Sequence, residues 1–273
     1  GLFTTQGHEH GGRITVSQIG VPRALPSVVA PSAWWLEERD LTERLSSRSP
    51  TSHKGTTGRV AVVGGSAGMF GAPRLSARAA FRGGAGVVTL ASDAATIHAF
   101  ELESVETMTR VVNDPETTDF GSWLLKQNSL VVGPGLGRSH EAARLVQAAL
   151  AARRPTVVDA DALRLIAAGT AGLSVDGLRA HGALVLTPHP AEAADLLGKT
   201  TESVELDRFG AAEELAERSG AVVVLKGSRT IIAAPHSIPW VSSAGSPALA
   251  TAGSGDVLGG IIAALLAESL DGT

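Results

Sequence analysis

The sequence predicts an α/β fold, a layered sandwich in which helices cover both faces of a mainly parallel central sheet. Three observations carry the prediction. From Gly58 onward, short β-branched runs recur without in/out alternation, as strands buried on both faces require. Helix-length amphipathic segments separate them, and repeated β-then-α order implies parallel strands joined by right-handed crossovers. Each strand is followed by a Gly-rich or polar segment, which belongs where an open parallel sheet gathers ligands, beyond its carboxyl ends.

Residues 1–50 have weak periodicity, with Pro22, Pro26 and Pro31 followed by a polar stretch through Ser46, Ser47, Arg48 and Ser49. They read as a tail or linker ending in one short helix, Trp35–Leu45. Val60–Val63 is the first predicted core strand and Pro73–Arg82 the helix after it. Val87–Leu90 and Leu130–Val132 follow as strands, with Glu141–Ala152 as the next helix. Thr156–Val158 and Ala183–Leu186 are strands, then Ala191–Leu197 and Ala211–Arg218 are helices feeding the strand Ala221–Leu225. Arg229–Ala233 and Ile238–Val241 read as a short antiparallel addition near one sheet edge. Apolar pairs at Val257/Leu258, Ile261/Ile262 and Leu265/Leu266 recur every four residues and make the last segment a helix packed on the sheet.

Composition narrows the function. The 273 residues carry 23 Lys plus Arg against 27 Asp plus Glu, a net charge of −4. Nucleic acid and anionic membranes need a basic footprint, so neither is the expected partner. The absence of Cys excludes disulfides, Cys-zinc sites and thiol nucleophiles. Aromatic residues make up 4 %, too few for base-stacking platforms. An apolar share of 44 % and a mean hydropathy of +0.16 are enough for a sizeable core. The longest apolar run, Val257 to Ala267, is far short of the ~20 residues a crossing helix needs. Gly1–Arg13 lacks the basic-then-apolar layout of a signal segment, and a chain opening on Gly1 reads as either a recombinant expression product or a piece of something longer.

The sharpest chemical signal is Thr251-Ala252-Gly253-Ser254-Gly255-Asp256 at the start of the last helix. Small residues there leave backbone N–H groups open to an anion such as phosphate, and to charge developing in phosphoryl transfer. The neighbouring Asp256 can accept the proton of an attacking hydroxyl. The competing reading is that Ser254 or Asp256 merely caps the helix. Gly64-Gly65-Ser66-Ala67-Gly68 follows the first core strand, but its spacing fits neither a dinucleotide fingerprint nor a phosphate loop; it would let substrate lie on bare backbone, with Gly71-Ala72-Pro73 opening the next helix. Gly133-Pro134-Gly135-Leu136-Gly137 is either a tight turn or a ligand-facing loop.

Thr187-Pro188-His189-Pro190-Ala191-Glu192 places an imidazole and a carboxylate at a helix start. Glu192 either favours the helix dipole or holds a water on Mg²⁺. The flanking prolines fix the direction of His189 and favour a contact role. Asp159 and Asp161 either both project toward the cleft or leave Asp161 as a helix cap. Lys226-Gly227-Ser228-Arg229-Thr230 is either a hairpin turn or a grip on nucleotide phosphates. His8-Glu9-His10 lacks metal-site spacing and receives no function.

Taken together and in order, these motifs resemble the NAD(P)H-hydrate dehydratases of the ribokinase-like superfamily. The matching pieces are His53-Lys54-Gly55 with Gly58-Arg59-Val60, Gly64–Ser66, Gly133–Gly137, Asp159–Leu163, Thr187–Glu192, Leu225–Thr230 and Thr251–Leu258, over roughly residues 33–270. His189 looks like the dehydratase branch, since related vitamin kinases tend to carry Asn there. Ser254 stands where Thr is common, keeping the hydroxyl, and Arg164 stands where Asn often follows. The resemblance implies a ribokinase-like three-layer α/β/α sandwich. It implies a cytoplasmic repair enzyme that uses ADP or ATP with Mg²⁺ to dehydrate hydrated NADH or NADPH, and a homo-oligomer, a tetramer in the family.

On that resemblance, Asp256 activates the ring hydroxyl, and Gly253, Ser254 and Gly255 stabilise the transferring group. Lys226, Gly227, Ser228, Arg229 and Thr230, with Gly255, bind the adenine nucleotide. Ala72, Gly135 or Gly137, His189 and Asp256 face the hydrated dinucleotide, and Glu192 reaches the metal through water. Gly12–Val16 through Ile19–Pro22 looks like the closing strand of an epimerase domain often fused upstream. Residues 1–32 are thus expected to be a remnant of that domain, and 33–273 the dehydratase-like domain, ending short of the helices that usually follow. Two other readings stand beside this one: an ATP-dependent kinase for a vitamin precursor, and a nucleotide-binding module without catalysis.

Overall fold

Among the described residues, the chain folds around a ten-stranded sheet. The computed structural model describes residues 5–12, 14, 15, 17, 19, 20, 30–42, 57–101, 105–112 and 114–268. In chain order the elements are α1 (Thr5–Gly11), β1 (Trp34–Leu36), α2 (Glu38–Thr42), β2 (Arg59–Val63), α3 (Gly71–Arg82), β3 (Val87–Ser92), α4 (Ala94–Glu101) and β4 (Met108–Val111). Then come α5 (Thr118–Leu124), β5 (Ser129–Val132), α6 (His140–Ala151), β6 (Thr156–Val158), α7 (Asp161–Ala167), β7 (Leu184–Leu186), α8 (Pro190–Leu197) and α9 (Thr201–Leu206). The last are α10 (Arg208–Ser219), β8 (Val222–Leu225), β9 (Ile231–Ala233), β10 (Trp240–Ser242) and α11 (Ser254–Glu268).

The strand order is β1-β10-β9-β8-β7-β6-β5-β2-β3-β4. From β4 through β8 every neighbour is parallel. The antiparallel pairs are β8 with β9 and β9 with β10, the predicted addition. Successive residues of one strand enter opposite cores, as the pleat demands. Ala61, Val63, Leu130, Val132, Val158 and Leu186 meet α6, α7, α8 and α10 on one face. Val60, Val62, Val131, Val157 and Val185 meet α3, α4 and α11 on the other. This is the three-layer sandwich expected. Alanines 263, 264 and 267 let α11 lie close to the sheet, where Ser129 Oγ donates to the Ala263 carbonyl at 2.6 Å.

The Trp35–Leu45 helix is a misreading. Trp34–Leu36 forms the edge strand β1, paired parallel to β10, and among the described residues the helix spans Glu38–Thr42. The aromatic pair prefers a pleated surface: the Trp34 and Trp240 rings lie 6.0 Å apart, and Trp35 lies under the Arg229 guanidinium at 4.7 Å. Leu45 and the polar stretch after it lie outside the described residues. The tail also contains α1 around His8–His10, which the sequence reading did not mark. The strand expected over residues 12–22 falls partly outside the described residues, and those described there form no strand. His53, Lys54 and Gly55 also lie outside. The short edge strand β4 and the helices α4, α5 and α9 went unmarked; β4 is half exposed and lacks the continuous apolar run of the central strands.

Candidate functional site

The loops that follow β2, β5, β6, β7 and β8 converge at the carboxyl ends of the strands. Gly65 N donates to the Pro134 carbonyl at 2.9 Å, Gly133 N to Val63 at 3.1 Å, and Lys226 N to Pro188 at 2.8 Å. Ser66 Oγ donates to the Gly135 carbonyl at 2.9 Å. The polar segments after the strands therefore form one surface.

The start of α11 faces that surface. Gly253 accepts the first helical bond, from Val257 N, at 3.0 Å. Ser254 Oγ donates backward to the Thr251 carbonyl at 3.0 Å and so caps no N–H of the first turn. Among the described residues, the N–H groups of Gly255 and Asp256 find no acceptor, and the Asp256 carboxylate makes no hydrogen bond; its own backbone carbonyl accepts from Ser76 Oγ at 3.0 Å. The capping alternative for Ser254 and Asp256 is therefore not what this helix does. Open N–H groups at the positive end of the helix dipole form a seat for an anion.

Three charges surround the seat. Lys226 Nζ lies 2.9 Å from Asp159 Oδ1 and 4.0 Å from Glu192 Oε2. Asp159 is 1 % exposed, and its second oxygen has no partner. A methyl on Gly255 would lie 3.3 Å from Lys226 Nζ and 3.9 Å from Asp159 Oδ2, which measures how near both charges stand to the first turn. Burial pushes the Asp256 carboxyl up to about 6; the charge of Asp159 adds to this and Lys226 opposes it. A carboxyl that titrates near neutrality suits a general base.

His189 caps α8. Its Nδ1 accepts from Glu192 N at 3.2 Å, and Glu192 Oε2 accepts from His189 N at 3.0 Å, a capping box with Pro190 in the first turn. A bare Nδ1 places the neutral ring's hydrogen on Nε2, which lies 3.2 Å from Glu192 Oε1. The ring is 40 % exposed and stays available to a ligand. Arg164 approaches the same Oε1 at 3.7 Å. Burial raises Glu192, but the His189 hydrogen bonds and the Lys226 charge outweigh it and leave the carboxyl below its usual range. Both oxygens thus already have partners, and among the described residues no group of three or more His, Cys, Asp or Glu is arranged to hold a metal.

Asp159 and Asp161 divide their tasks. Asp159 faces α11, whereas Asp161 accepts from Gly137 N at 2.9 Å and meets Arg138 at 3.5 Å, tying the loop 133–137 to α7. Gly135 is buried against the Met69 carbonyl; Gly137 and Ala72 are half-buried at the surface the loops share. Gly227 and Ser228 are exposed, and Thr230 Oγ1 donates to the Gly227 carbonyl at 3.2 Å. The Arg229 guanidinium is held by Trp35 and by the Ser243 carbonyl at 3.2 Å.

A family model for NAD(P)H-hydrate dehydratases matches residues 60–272, which contain every one of these residues apart from Trp35. The chain belongs to this family. The matched residues span the sheet and its helices from β2 to α11, leaving out the edge strand β1. A curated relative, the ADP-dependent (S)-NAD(P)H-hydrate dehydratase of Neisseria meningitidis, is 43 % identical over 231 residues, 82 % of this chain and 74 % of the relative. The bifunctional NAD(P)H-hydrate repair enzyme of Moorella thermoacetica is 40 % identical over 281 residues, 99 % of this chain and 52 % of the relative. The chain spans about half the length of such bifunctional relatives. A solved Bacillus subtilis ADP/ATP-dependent NAD(P)H-hydrate dehydratase, co-crystallised with ATP and Mg²⁺, superposes with a TM-score of 0.73 at 28 % identity, covering 87 % of this chain and 82 % of that one.

Within this dehydratase-family chain, the fold brings Gly253–Asp256, Lys226 and His189–Glu192 to one end of the sheet. The sequence reading missed Arg208, which enters from the first turn of α10. Its guanidinium is buried and bonds to carbonyls of the loop after β8. No local signal marks it, because only the packing of α10 under β8 brings it there.

Proposed function

We propose that this chain dehydrates hydrated NADH or NADPH back to the working cofactor at the expense of ADP or ATP. The observation that carries the reading is the first turn of α11: open N–H groups at Gly255 and Asp256 beside a carboxyl pushed up to about 6. The site residues keep the roles the family resemblance implies.

In the proposed reaction, Asp256 takes the proton of the ring hydroxyl, and that oxygen attacks the terminal phosphorus of the nucleotide. The open amides of the first turn hold the charge on the transferring group, with Gly253, Ser254 and Gly255 keeping side-chain bulk away. Lys226 neutralises the departing nucleotide phosphate, and AMP leaves when ADP is the donor. Phosphate then leaves the ring carbon that hydroxide could not leave. Loss of a ring proton restores the double bond. Lys226 through Thr230 bind the adenine nucleotide, with Arg229 held to one side by Trp35 and Ser243. Ala72, Gly137 and His189 border the hydrated dinucleotide, with buried Gly135 shaping the loop beneath it.

Mg²⁺ would fit as an ion that keeps its waters, and when bound with the nucleotide it would supply charge neutralisation. Glu192, with both oxygens partnered, would reach it only through a water. The same reading takes residues 1–32 as the remnant of an epimerase-like domain and 33–273 as the dehydratase-like domain. The bifunctional relatives support that division. It also takes the protein as a cytoplasmic homo-tetramer, which light scattering tests; among the described residues no helix is long and apolar enough to cross a membrane.

Mixing the protein with hydrated NADPH and either ADP or ATP, and following the recovery of dihydronicotinamide absorbance, tests the activity. Recovery with one nucleotide supports it. No recovery with either, together with phosphorylation of a pyrimidine or thiazole alcohol, transfers the site to the vitamin kinases.

A further inference from the structure

We infer that Arg208 is a positioning residue for the nucleotide: its buried guanidinium collects the carbonyl oxygens of the loop after β8 and so turns that loop's N–H groups outward. The inference rests on the functional reading above, in which residues 226–230 hold the nucleotide.

Arg208 is 6 % exposed. Its Nη1 donates to the Ser228 carbonyl at 2.6 Å, and its Nη2 to the Leu225 and Lys226 carbonyls at 3.3 and 3.1 Å. The remaining carbonyl of the loop, that of Gly227, accepts from Thr230 Oγ1 at 3.2 Å. All four acceptors from 225 to 228 are therefore taken by donors of the protein. A planar trans peptide directs its N–H opposite to its C=O, and the described chain has no cis bond. With the Lys226 and Ser228 carbonyls drawn to Arg208, the N–H groups of Gly227 and Arg229 must point away from it.

Among the described residues, the N–H groups of Gly227, Ser228 and Arg229 donate to no acceptor. A short run of open amides with its carbonyls turned back is a concave anion site. Gly227 permits the arrangement. Its φ of +144° is a region L side chains rarely adopt, and a methyl there would stand 2.6 Å from Nη2. A guanidinium suits the task because its planar fork satisfies several carbonyls at once, which an ammonium at the end of a lysine does not. Burial lowers the Arg208 pKa, partly offset by Glu205 at 3.9 Å, but from so high a starting value that the charge persists at neutral pH.

The test compares wild type, Arg208→Lys and Arg208→Ala for ADP binding by calorimetry and for the steady-state KM of ADP and of hydrated NADPH. The inference expects the Kd and KM for ADP in Arg208→Lys to rise about tenfold or more, with kcat and the KM for hydrated NADPH within about threefold of wild type. It also expects guanidinium ion at low millimolar concentration to restore ADP affinity to Arg208→Ala, a response that mere loss of packing does not give. Unchanged ADP affinity in Arg208→Lys overturns it, as does an equal loss of kcat and of both KM values in that variant. If Arg208→Ala does not fold, Arg208→Lys decides alone. A wild type that binds no ADP overturns the functional reading itself, and this inference with it.

Discussion

Lys226 Nζ lies 2.9 Å from Oδ1 of Asp159, while Oδ2 of the same buried carboxylate has no hydrogen-bond partner. The pair stands beside the first turn of α11, where the Asp159 charge raises the Asp256 pKa and the Lys226 charge opposes it. A purely structural ion pair buried this deeply would be expected to fill both oxygens.

The pH profile follows from this arrangement. As the proposed base, Asp256 would work only when ionised, so kcat/KM should rise with pH through about 6 and level off above it. Asp159 raises the Asp256 pKa and Lys226 lowers it. Asp159→Asn should therefore move the acid limb to lower pH, and Lys226→Met should move it higher in whatever activity survives. Limbs that stay fixed in both variants would separate Asp256 from that limb.

Asp256→Asn should abolish turnover and leave ADP binding near normal. It should also stabilise the fold. The folded pKa of Asp256, about 6, lies above its ordinary value of 3.8. The favourable contribution of the neutral carboxyl is complete below the unfolded value and is lost as pH rises through about 6. At neutral pH the folded wild type carries the cost of a desolvated charge that Asn lacks. Thermal melts should show a higher Tm for the variant at neutral pH, with the difference closing as the pH falls toward about 4.

The sequence made the central strands legible because burial on both faces leaves a continuous apolar run, as in Val60–Val63 and Leu130–Val132. Asp256 was legible for a different reason: Gly on both sides of Ser254, just before an acid at a helix start, favoured an anion seat over a simple cap, although local sequence alone left both readings open. The edge was not legible. Trp34–Leu36 gains its strand partner only from β10, some two hundred residues on, and local spacing resembled a helix. The choice between the two aspartates after β6 also needed the fold, because Lys226 and Gly137 come from other loops. Arg208 was hidden for the same reason.

His189 joins two tasks, capping α8 and bordering the proposed substrate surface. His189→Ala should cost about 1 kcal/mol of stability through the lost cap, measurable by denaturant unfolding. It should also raise the KM for hydrated NADPH more than that for ADP. His189→Asn, which can still cap, should recover the stability without recovering the KM. Equal KM changes for both substrates would remove His189 from the dinucleotide side.

At Gly133 the loop after β5 packs tightly against the segment after β6. Its φ is +120°, and a methyl there would stand 1.9 Å from the Asp159 carbonyl oxygen. Gly133→Ala should destabilise the protein by roughly 3 kcal/mol or more and displace Asp159. Denaturant unfolding and the acid limb of the rate profile should change together; a wild-type midpoint would refute the close approach.

The central claim is that the first turn of α11 receives the phosphoryl group beside the base. A crystal structure of the protein with ADP tests it most directly. The account predicts the β-phosphate on the open N–H groups of Gly255 and Asp256, within reach of Lys226 Nζ. A well-ordered ADP whose β-phosphate lies elsewhere, with that turn left to solvent, would contradict it.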